Sequence, residues 1–278
     1  MSELTEPITG TRLQVVLPDE SPEMSPRTLV GLGVRAEELG IDAVWLPDHL
    51  LPPSPYGTTF GGVYEPLVTL AHLAARTTRI RLGTSVLVAS MRDPLVLAKQ
   101  AATLDALSGG RFVLGVGVGW SREEFAAVGA DFATRGARTD EALRLLRHLS
   151  EGGGPFEGRF HSYGDGVFEP RPERPVPVMV GGASDRALRR AAAWGDEWQG
   201  VGLTTKGFVA ARNRLRGLTD RPVRTGTRIA WPGGEEEFGR AVEQFRELTA
   251  AGADSVAVWF GDAEGFGARM ERFAAALR

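Results

Sequence analysis

A histidine and an aspartate follow one of the apolar runs of the chain. The segment PDH at residues 47–49 comes directly after AVWL, so Asp48 and His49 lie where a buried strand would end. An imidazole can accept or donate a proton near neutral pH, which makes His49 a candidate acid or base. Two alternatives stay open: His49 can instead only hydrogen-bond a bound ring or a loop backbone, and Asp48 can orient His49 or only cap the loop.

Glycines end another apolar run, RFVLGVGVGW at residues 111–120. Gly115, Gly117 and Gly119 remove side chains there, so backbone N–H groups can approach a phosphate or a planar ring closely. The segment lacks the Lys-Ser/Thr pair of a P-loop and lies too late in the chain for an opening Rossmann turn. A strand packed tightly against a helix explains the glycines equally well.

A second glycine signal is VMVGGAS at residues 178–184. Gly181 and Gly182 end a predicted strand, and Ser184 has the residue type of a helix N-cap. A helix amino end preceded by glycine binds anions through its N–H groups and its dipole. An ordinary strand-to-helix turn would explain this segment alone, but two such strand ends together favour a phosphate pocket.

Short apolar runs alternate with helical patterns along the whole chain. Strands are predicted at Arg12–Leu17, Asp42–Leu46, Arg79–Val88, Arg111–Gly117, Val176–Val180, Glu197–Gly202, Thr225–Ala230 and Ser255–Phe260. Helices are predicted at Thr28–Leu39, Glu65–Arg76, Pro94–Leu107, Arg122–Val128, Arg138–Leu149, Ser184–Trp194, Lys206–Arg216, Glu235–Ala250 and Glu264–Leu277. We therefore predict an α/β protein, a single (β/α)8 barrel domain over residues 1–278 with an insertion around 151–175.

Composition excludes several other classes of protein. The 278 residues carry a net charge of −3, which gives no basic surface for nucleic acid, and they include no cysteine for disulfides or thiolate chemistry. No apolar run is long enough for a membrane span, and the polar first ten residues argue against a secretory signal. No His/Asp/Glu spacing indicates a metal site. We expect a cytoplasmic protein without a metal.

Three segments in this order resemble the luciferase-like monooxygenase superfamily. They are GTSVLV at 83–88, PLVLAKQAATLDALSGGRFVLGVGVGW at 94–120, and VPVMVGGAS at 176–184 followed by GDEW. The resemblance covers about residues 12–202, and the branch most similar to the chain is that of the coenzyme F420-dependent oxidoreductases. It implies a luciferase-like barrel that binds a tricyclic cofactor at the carboxyl ends of its strands.

The resemblance assigns roles to individual residues. It implies a cis peptide at Ser85–Val86 behind the cofactor ring, a ring-edge hydrogen bond from Thr84, and His49 with Asp48 as the catalytic pair on the substrate side. Trp120 can cover the pocket or pack in the core. The cofactor contacts implied by the motifs are Thr84, Ser85, Val86, Gly115, Gly117, Val118, Gly119, Trp120, Gly181 and Gly182.

Function is predicted from this resemblance, with two alternatives. F420 carries carbon where a flavin carries its reactive nitrogen, so we predict hydride transfer between F420 and a small organic substrate with a C=C, C=N or C–OH group. The alternatives are an FMN-dependent monooxygenase and a barrel that binds a flavin without turnover. A homodimer and a separate reductase that supplies reduced cofactor are also implied.

Two further expectations concern the surroundings of the site. Residues 50–63, the excursion at 151–175 and the loops after strands six to eight are predicted to shape the substrate site. Residues 51–64 are a candidate lid, and a loop that serves only as a connection explains them equally well. Glu123 and Glu124 are predicted to form a solvated first helical turn, because acidic residues favour that position.

Overall fold

The computed structural model describes residues 10–21, 24–52 and 64–278, and parallel strands form a closed barrel at its centre. The strands of this described part are β1 (Arg12–Val16), β2 (Ala43–Leu46), β3 (Arg81–Thr84), β4 (Leu87–Val88), β5 (Phe112–Gly117), β6 (Phe156–Glu157), β7 (Ser162–Tyr163), β8 (Val178–Gly181), β9 (Glu197–Val201), β10 (Arg224–Ala230) and β11 (Ser255–Trp259). Neighbouring strands follow the order β3-β2-β1-β11-β10-β9-β8-β5, and pairing of β3 with β5 closes the circle. The predicted (β/α)8 barrel is confirmed.

Helices surround the barrel and begin where the sequence supplies caps. In the described ranges they are α1 (Pro26–Glu38), α2 (Pro66–Ala74), α3 (Pro94–Ser108), α4 (Arg122–Ala127), α5 (Arg135–Ser150), α6 (Asp185–Trp194), α7 (Thr205–Arg216), α8 (Glu235–Ala250) and α9 (Phe266–Ala276). Asp93 caps α3 by accepting hydrogen bonds from two backbone amides, and Gly109 ends that helix at a φ of 66°. None of these helices has the length and apolar character that crossing a membrane requires.

Large side chains fill the lower and middle parts of the barrel. Trp45 is fully buried, and its indole N–H donates to Gln14 Oε1 at 2.9 Å. A Cβ at Gly83 would lie 2.3 Å from the Trp45 ring, so the absence of a side chain at Gly83 gives the indole its place. Val86 and Trp259 pack against the same interior cluster nearer the carboxyl ends of the strands. The space for a ligand therefore lies above this layer.

The third barrel strand is interrupted. The predicted continuous strand Arg79–Val88 is wrong at Ser85 and Val86, because the chain leaves the ladder there and resumes as β4, which pairs with β5. The structure contains the cis peptide at Ser85–Val86 that the resemblance implies. At this interruption the Val86 side chain lies close to Gly117 and Gly181 at the mouth of the barrel.

The insertion at 151–175 forms a short hairpin of β6 and β7 that packs on α5 through Phe156. Glu141 on α5 holds the hairpin turn by accepting hydrogen bonds from the backbone amides of Arg159, Phe160 and His161 at 2.6, 2.9 and 2.8 Å. The other predicted substrate-shaping segment and lid fall mostly on residues 53–63, which lie outside the described residues, as do residues 1–9.

Candidate functional site

A cavity of about 860 Å³ opens at the carboxyl ends of the barrel strands. Its wall takes residues from loops or strand ends around the whole barrel, and His49, Ser85, Gly117, Gly181 and Arg228 are among them. The volume lies within the range of typical small-molecule sites. Within the described ranges, no residue of the insertion at 151–175 lines this cavity, so its predicted contribution to the substrate site is not supported.

His49 is held by a buried carboxylate from the α4 helix. Its Nδ1 lies 3.0 Å from Glu124 Oε2, and the other oxygen of Glu124 accepts the backbone amides of Leu50 and Leu51 at 2.8 and 3.1 Å. Glu124 is only 3% exposed, because α4 begins at the Ser121 cap and turns this residue inward. The predicted solvated turn is therefore wrong for Glu124, although Glu123 is exposed.

The contact fixes what the imidazole can do. When Nδ1–H donates to the Glu124 carboxylate, the neutral ring carries no hydrogen on Nε2, which can then accept a proton. The edge of the Trp120 ring system meets His49 at a centroid distance of 5.8 Å and an interplanar angle of 70°. Trp120 is 51% exposed, so it covers part of the cavity and is no core residue.

Among the described residues, Asp48 forms its hydrogen bonds with Val88 and Arg92 and not with His49. The Asp48 carboxylate accepts hydrogen bonds from both terminal nitrogens of Arg92, at 2.6 and 2.8 Å. It also accepts one from the backbone amide of Val88 at 2.8 Å. Burial opposes the charge of Arg92, but the hydrogen bonds that it donates to Asp48 and Glu65 raise the pKa of Arg92 above its usual value. The Asp48 side chain is fully buried in this pair, so its hydrogen bonds hold the strand end, and the geometry does not support the predicted pairing with His49.

Most of the motif glycines make room for protein atoms. A Cβ at Gly117 or Gly181 would lie 2.3 or 2.4 Å from the Val86 side chain, and a Cβ at Gly115 would lie 1.7 Å from the Thr84 carbonyl oxygen. These three glycines therefore accommodate the interrupted third strand, whereas the alternative for residues 111–120 expected packing against a helix.

The same geometry argues against the cofactor contacts predicted for Thr84 and Gly115. The Thr84 hydroxyl donates to the Gly115 carbonyl at 2.7 Å and accepts the Gly115 amide at 3.0 Å. Neither residue is part of the cavity wall, and Thr84 is fully buried. Because both functions of the hydroxyl are used inside the protein, the expected ring-edge hydrogen bond from Thr84 and the expected cofactor contact of Gly115 are not supported.

The remaining predicted contacts come together in the cavity wall. Val86, Val118 and Gly119 lie there, and Gly119 and Gly182 adopt φ values of 74° and 107° that favour glycine. Ser85 is also in the wall, and its hydroxyl donates to Gln199 Oε1 at 2.7 Å. Ser184 caps α6 as predicted, but the amide of Gly182 donates to the Gln199 carbonyl at 3.0 Å and is already used.

Sequence reasoning missed two charged residues of the wall, Glu20 after β1 and Arg228 in β10. Burial raises the pKa of Glu20, while the charges of Arg228 and His49 lower it. Burial lowers the pKa of Arg228, and the Glu20 charge raises it. The available signal was Arg228 itself, a charged side chain near the carboxyl end of a barrel strand.

No group of three or more His, Cys, Asp or Glu side chains in the described part of the chain is arranged to hold a metal ion. The polar residues of the wall instead include the bonded pairs His49–Glu124 and Ser85–Gln199, and apolar residues such as Val86 and Trp120 line the wall beside them. Such a wall suits an organic ligand.

Comparison with known proteins gives a family and a fold. Residues 9–230 match the sequence model of the family described as luciferase-like monooxygenase. An F420-dependent glucose-6-phosphate dehydrogenase of Kineococcus radiotolerans is 38% identical over 192 residues, which are 67% of this chain and 56% of the relative. One of the same name from Amycolatopsis mediterranei is 38% identical over 179 residues, 63% of this chain and 53% of the relative. The matches thus span about half the length of these relatives.

Solved structures share the barrel over nearly the whole chain. An F420-dependent secondary alcohol dehydrogenase in complex with an F420-acetone adduct has a TM-score of 0.81 and 17% identity, covering 97% of this chain and all (100%) of its own. The monooxygenase RslO1 from Streptomyces bottropensis has a TM-score of 0.77 and 23% identity, covering 96% and 98%. At these identities the likeness supports the fold alone.

Proposed function

Because the chain belongs to the luciferase-like monooxygenase family, we propose that it is an F420-dependent oxidoreductase that moves a hydride between the deazaflavin and a small organic substrate. The observation that carries this proposal is the His49–Glu124 pair in the wall of an 860 Å³ cavity at the strand ends. The names of the two dehydrogenase relatives support the choice of F420 as the cofactor.

The cavity wall fits a planar three-ring group with a phosphorylated tail. Val86 presents a small apolar side chain at the mouth, and Gly117–Gly119 and Gly181–Gly182 flank it on β5 and β8. Apart from Val86 itself, which covers Gly117 and Gly181, these two segments carry little side-chain bulk. We assign the ring to the surface around Val86 and the phosphate to the glycine segments. F420, when bound, supplies a carbon centre that gives or takes a hydride.

His49 moves the proton that accompanies the hydride. When a substrate alcohol is oxidised, its hydroxyl proton passes to Nε2 of His49, and in the reverse direction the same nitrogen returns it. Glu124 accepts the Nδ1 hydrogen throughout, so it fixes the ring and stabilises the imidazolium that forms. Trp120 excludes water from one side of this pair by its edge contact with His49.

Titration of the purified chain with F420 and with FMN tests the cofactor assignment. We expect F420 to bind, with a change in its absorbance and fluorescence, and FMN to bind much more weakly. Binding of FMN with none of F420 would replace the proposal by the flavin-dependent monooxygenase. Binding of either without turnover of any alcohol, imine or alkene in a substrate panel would favour a barrel without catalysis.

The other expectations from the resemblance belong to the same proposal. We propose a cytoplasmic homodimer that works with a separate reductase to regenerate its reduced cofactor, and a single domain over residues 1–278. Sedimentation of the purified chain tests the dimer, and limited proteolysis tests the single domain.

A further inference from the structure

We propose that Arg228 binds a carboxylate of the substrate, so that the enzyme acts on organic monocarboxylates and not on sugar phosphates. The word substrate here rests on the proposed function, whereas the binding of a carboxylate at Arg228 can be measured without the cofactor.

Arg228 belongs to the row of β10 that faces the barrel interior. In the sheet register it lies beside Val201 of β9 and Ala257 of β11, and Ala257 is an interior residue of the barrel. The Arg228 side chain forms part of the cavity wall. It therefore reaches the ligand space from a strand that only β9 separates from the glycine strand β8.

The guanidinium of Arg228 makes no hydrogen bond or ion pair with the described residues of the chain. Arg92 shows the usual arrangement in this protein, since both of its terminal nitrogens bond to one carboxylate, that of Asp48. A partly buried guanidinium without such a partner is unfavourable, and the planar fork of nitrogens matches a carboxylate in two hydrogen bonds. The missing partner of Arg228 is thus best supplied by a ligand.

The charges around the cavity favour one negative charge on that ligand. Among the described residues of the wall, Arg228 is the only lysine or arginine, and Glu20 and Glu124 already carry carboxylates. Residues 1–9, 22–23 and 53–63 contain no lysine or arginine that could add a cation. A phosphate dianion would bring a second charge with no partner into a partly desolvated space beside Glu20. A carboxylate brings one.

Calorimetric titration of the full chain without cofactor tests the assignment with benzoate and with its neutral isostere benzamide. We expect benzoate to bind about tenfold or more tightly than benzamide, because a hydrogen bond to a charged group contributes that much. R228Q should remove the difference and R228K should keep part of it. R240Q, which changes an arginine whose side chain is 76% exposed on α8, is the control and should behave as wild type.

A second variant should raise the affinity, which a misfolded protein cannot do. E20Q removes the carboxylate that competes for Arg228, so we expect benzoate to bind several-fold more tightly to E20Q than to wild type, with benzamide unchanged. Equal binding of benzoate and benzamide, or no binding of benzoate with and without F420, overturns the proposal. So does tighter, Arg228-dependent binding of glucose 6-phosphate or inorganic phosphate.

The same proteins separate this inference from the proposed function. F420 binding is read from the cofactor's own fluorescence, and we expect R228Q to retain it. Loss of F420 binding in R228Q would assign the guanidinium to the cofactor and overturn the substrate site. Failure of wild type to bind F420, with the benzoate preference intact, would overturn the proposed function alone.

Discussion

At the amino ends of the barrel strands Arg81 lies between two carboxylates, Asp42 and Glu197, whereas at the carboxyl ends Arg228 shares the cavity with Glu20 and forms no ion pair in the described structure. Burial opposes the charge of both arginines. At Arg81 the two carboxylates overcome burial and raise the pKa, and at Arg228 burial prevails and the pKa is lowered. The two ends thus use one side-chain type in opposite ways.

The amino ends of the strands, here called the lower end of the barrel, are closed by paired charges. Arg12 pairs with Asp42 at 3.1 Å, Arg81 contacts both Asp42 and Glu197, and Gln14 donates to Asp42 at 3.0 Å. At the carboxyl ends of the strands, the upper end of the barrel, polar groups face the cavity. Paired charges are tolerated in the fold because their mutual attraction offsets part of the desolvation penalty of each, and unpaired charges are retained where a ligand completes them.

The largest effect is expected from breaking the matched end. R81M leaves Glu197 and Asp42 without their shared cation, and removing one partner of a buried pair typically costs about 3–5 kcal/mol. Urea unfolding of R81M should show that loss, and F420 binding by the protein that remains folded should be unchanged. A loss below about 1 kcal/mol would mean that the lower network contributes no more than surface pairs do.

At the carboxyl ends of the strands, replacing a buried carboxyl should raise the stability of the protein, whereas R81M lowers it. Asp19 follows β1 and is fully buried, with Oδ1 accepting the Tyr64 amide at 3.3 Å and no hydrogen bond to Oδ2 from the described residues. Burial raises the pKa of Asp19 to about 7 from 3.8, although the Tyr64 amide lowers it. The folded chain therefore binds more protons than the unfolded chain between these values, and stability falls as pH rises from about 4 to 7.

D19N should remove that pH dependence. The shift corresponds to at most about 4–5 kcal/mol, since one pKa unit is worth about 1.4 kcal/mol. Urea unfolding at pH 4 and pH 8 should therefore show a smaller drop for D19N than for wild type, with D19N the more stable protein at pH 8. E243Q, which changes an exposed carboxyl on α8, is the control and should keep the wild-type profile. An unchanged drop in D19N would place the titrating group elsewhere.

His49 and Glu124 test whether the polar groups of the upper end serve catalysis. H49N should lower turnover about 100-fold and leave F420 affinity unchanged, because general acid–base catalysis contributes at least that factor. E124Q should lower turnover less, since the amide oxygen can still accept the Nδ1 hydrogen. Steady-state kinetics and F420 titration measure both quantities. Normal turnover in H49N would reduce His49 to a structural residue.

The barrel could be predicted from the sequence because its signals are local. Apolar runs, proline and glycine at helix ends, and the order of the motifs all lie within short segments, and the predicted strands differ from the structure by a few residues. The interruption at Ser85–Val86 was reached through the resemblance, since the apolar alternation of 79–88 itself favours one strand. The local sequence pattern therefore predicts where helices and strands occur, but it does not predict where a strand is interrupted.

The partners of charged side chains could not be predicted, because they depend on contacts between distant segments. Asp48 was placed beside His49 by sequence adjacency, yet its partner is Arg92 on the next strand-to-helix loop. Glu124 was assigned to solvent by its place in a helix, yet it is separated by 75 residues from the histidine that it holds. Arg228 is recognisable in the sequence as a charged residue in a strand, but the charges near it, such as Glu20, are known only once the barrel is closed.

The smallest effect is expected from Arg224, which sharpens the difference between a matched charge and a merely nearby one. Arg224 also approaches Glu197, but at 3.6 Å and with 44% of its side chain exposed, so water screens the pair. We expect R224Q to lose less than about 1 kcal/mol in urea unfolding, as exposed ion pairs do. A loss approaching that of R81M would show that Glu197 needs both arginines, and that burial at the lower end extends further than the exposure of Arg224 suggests.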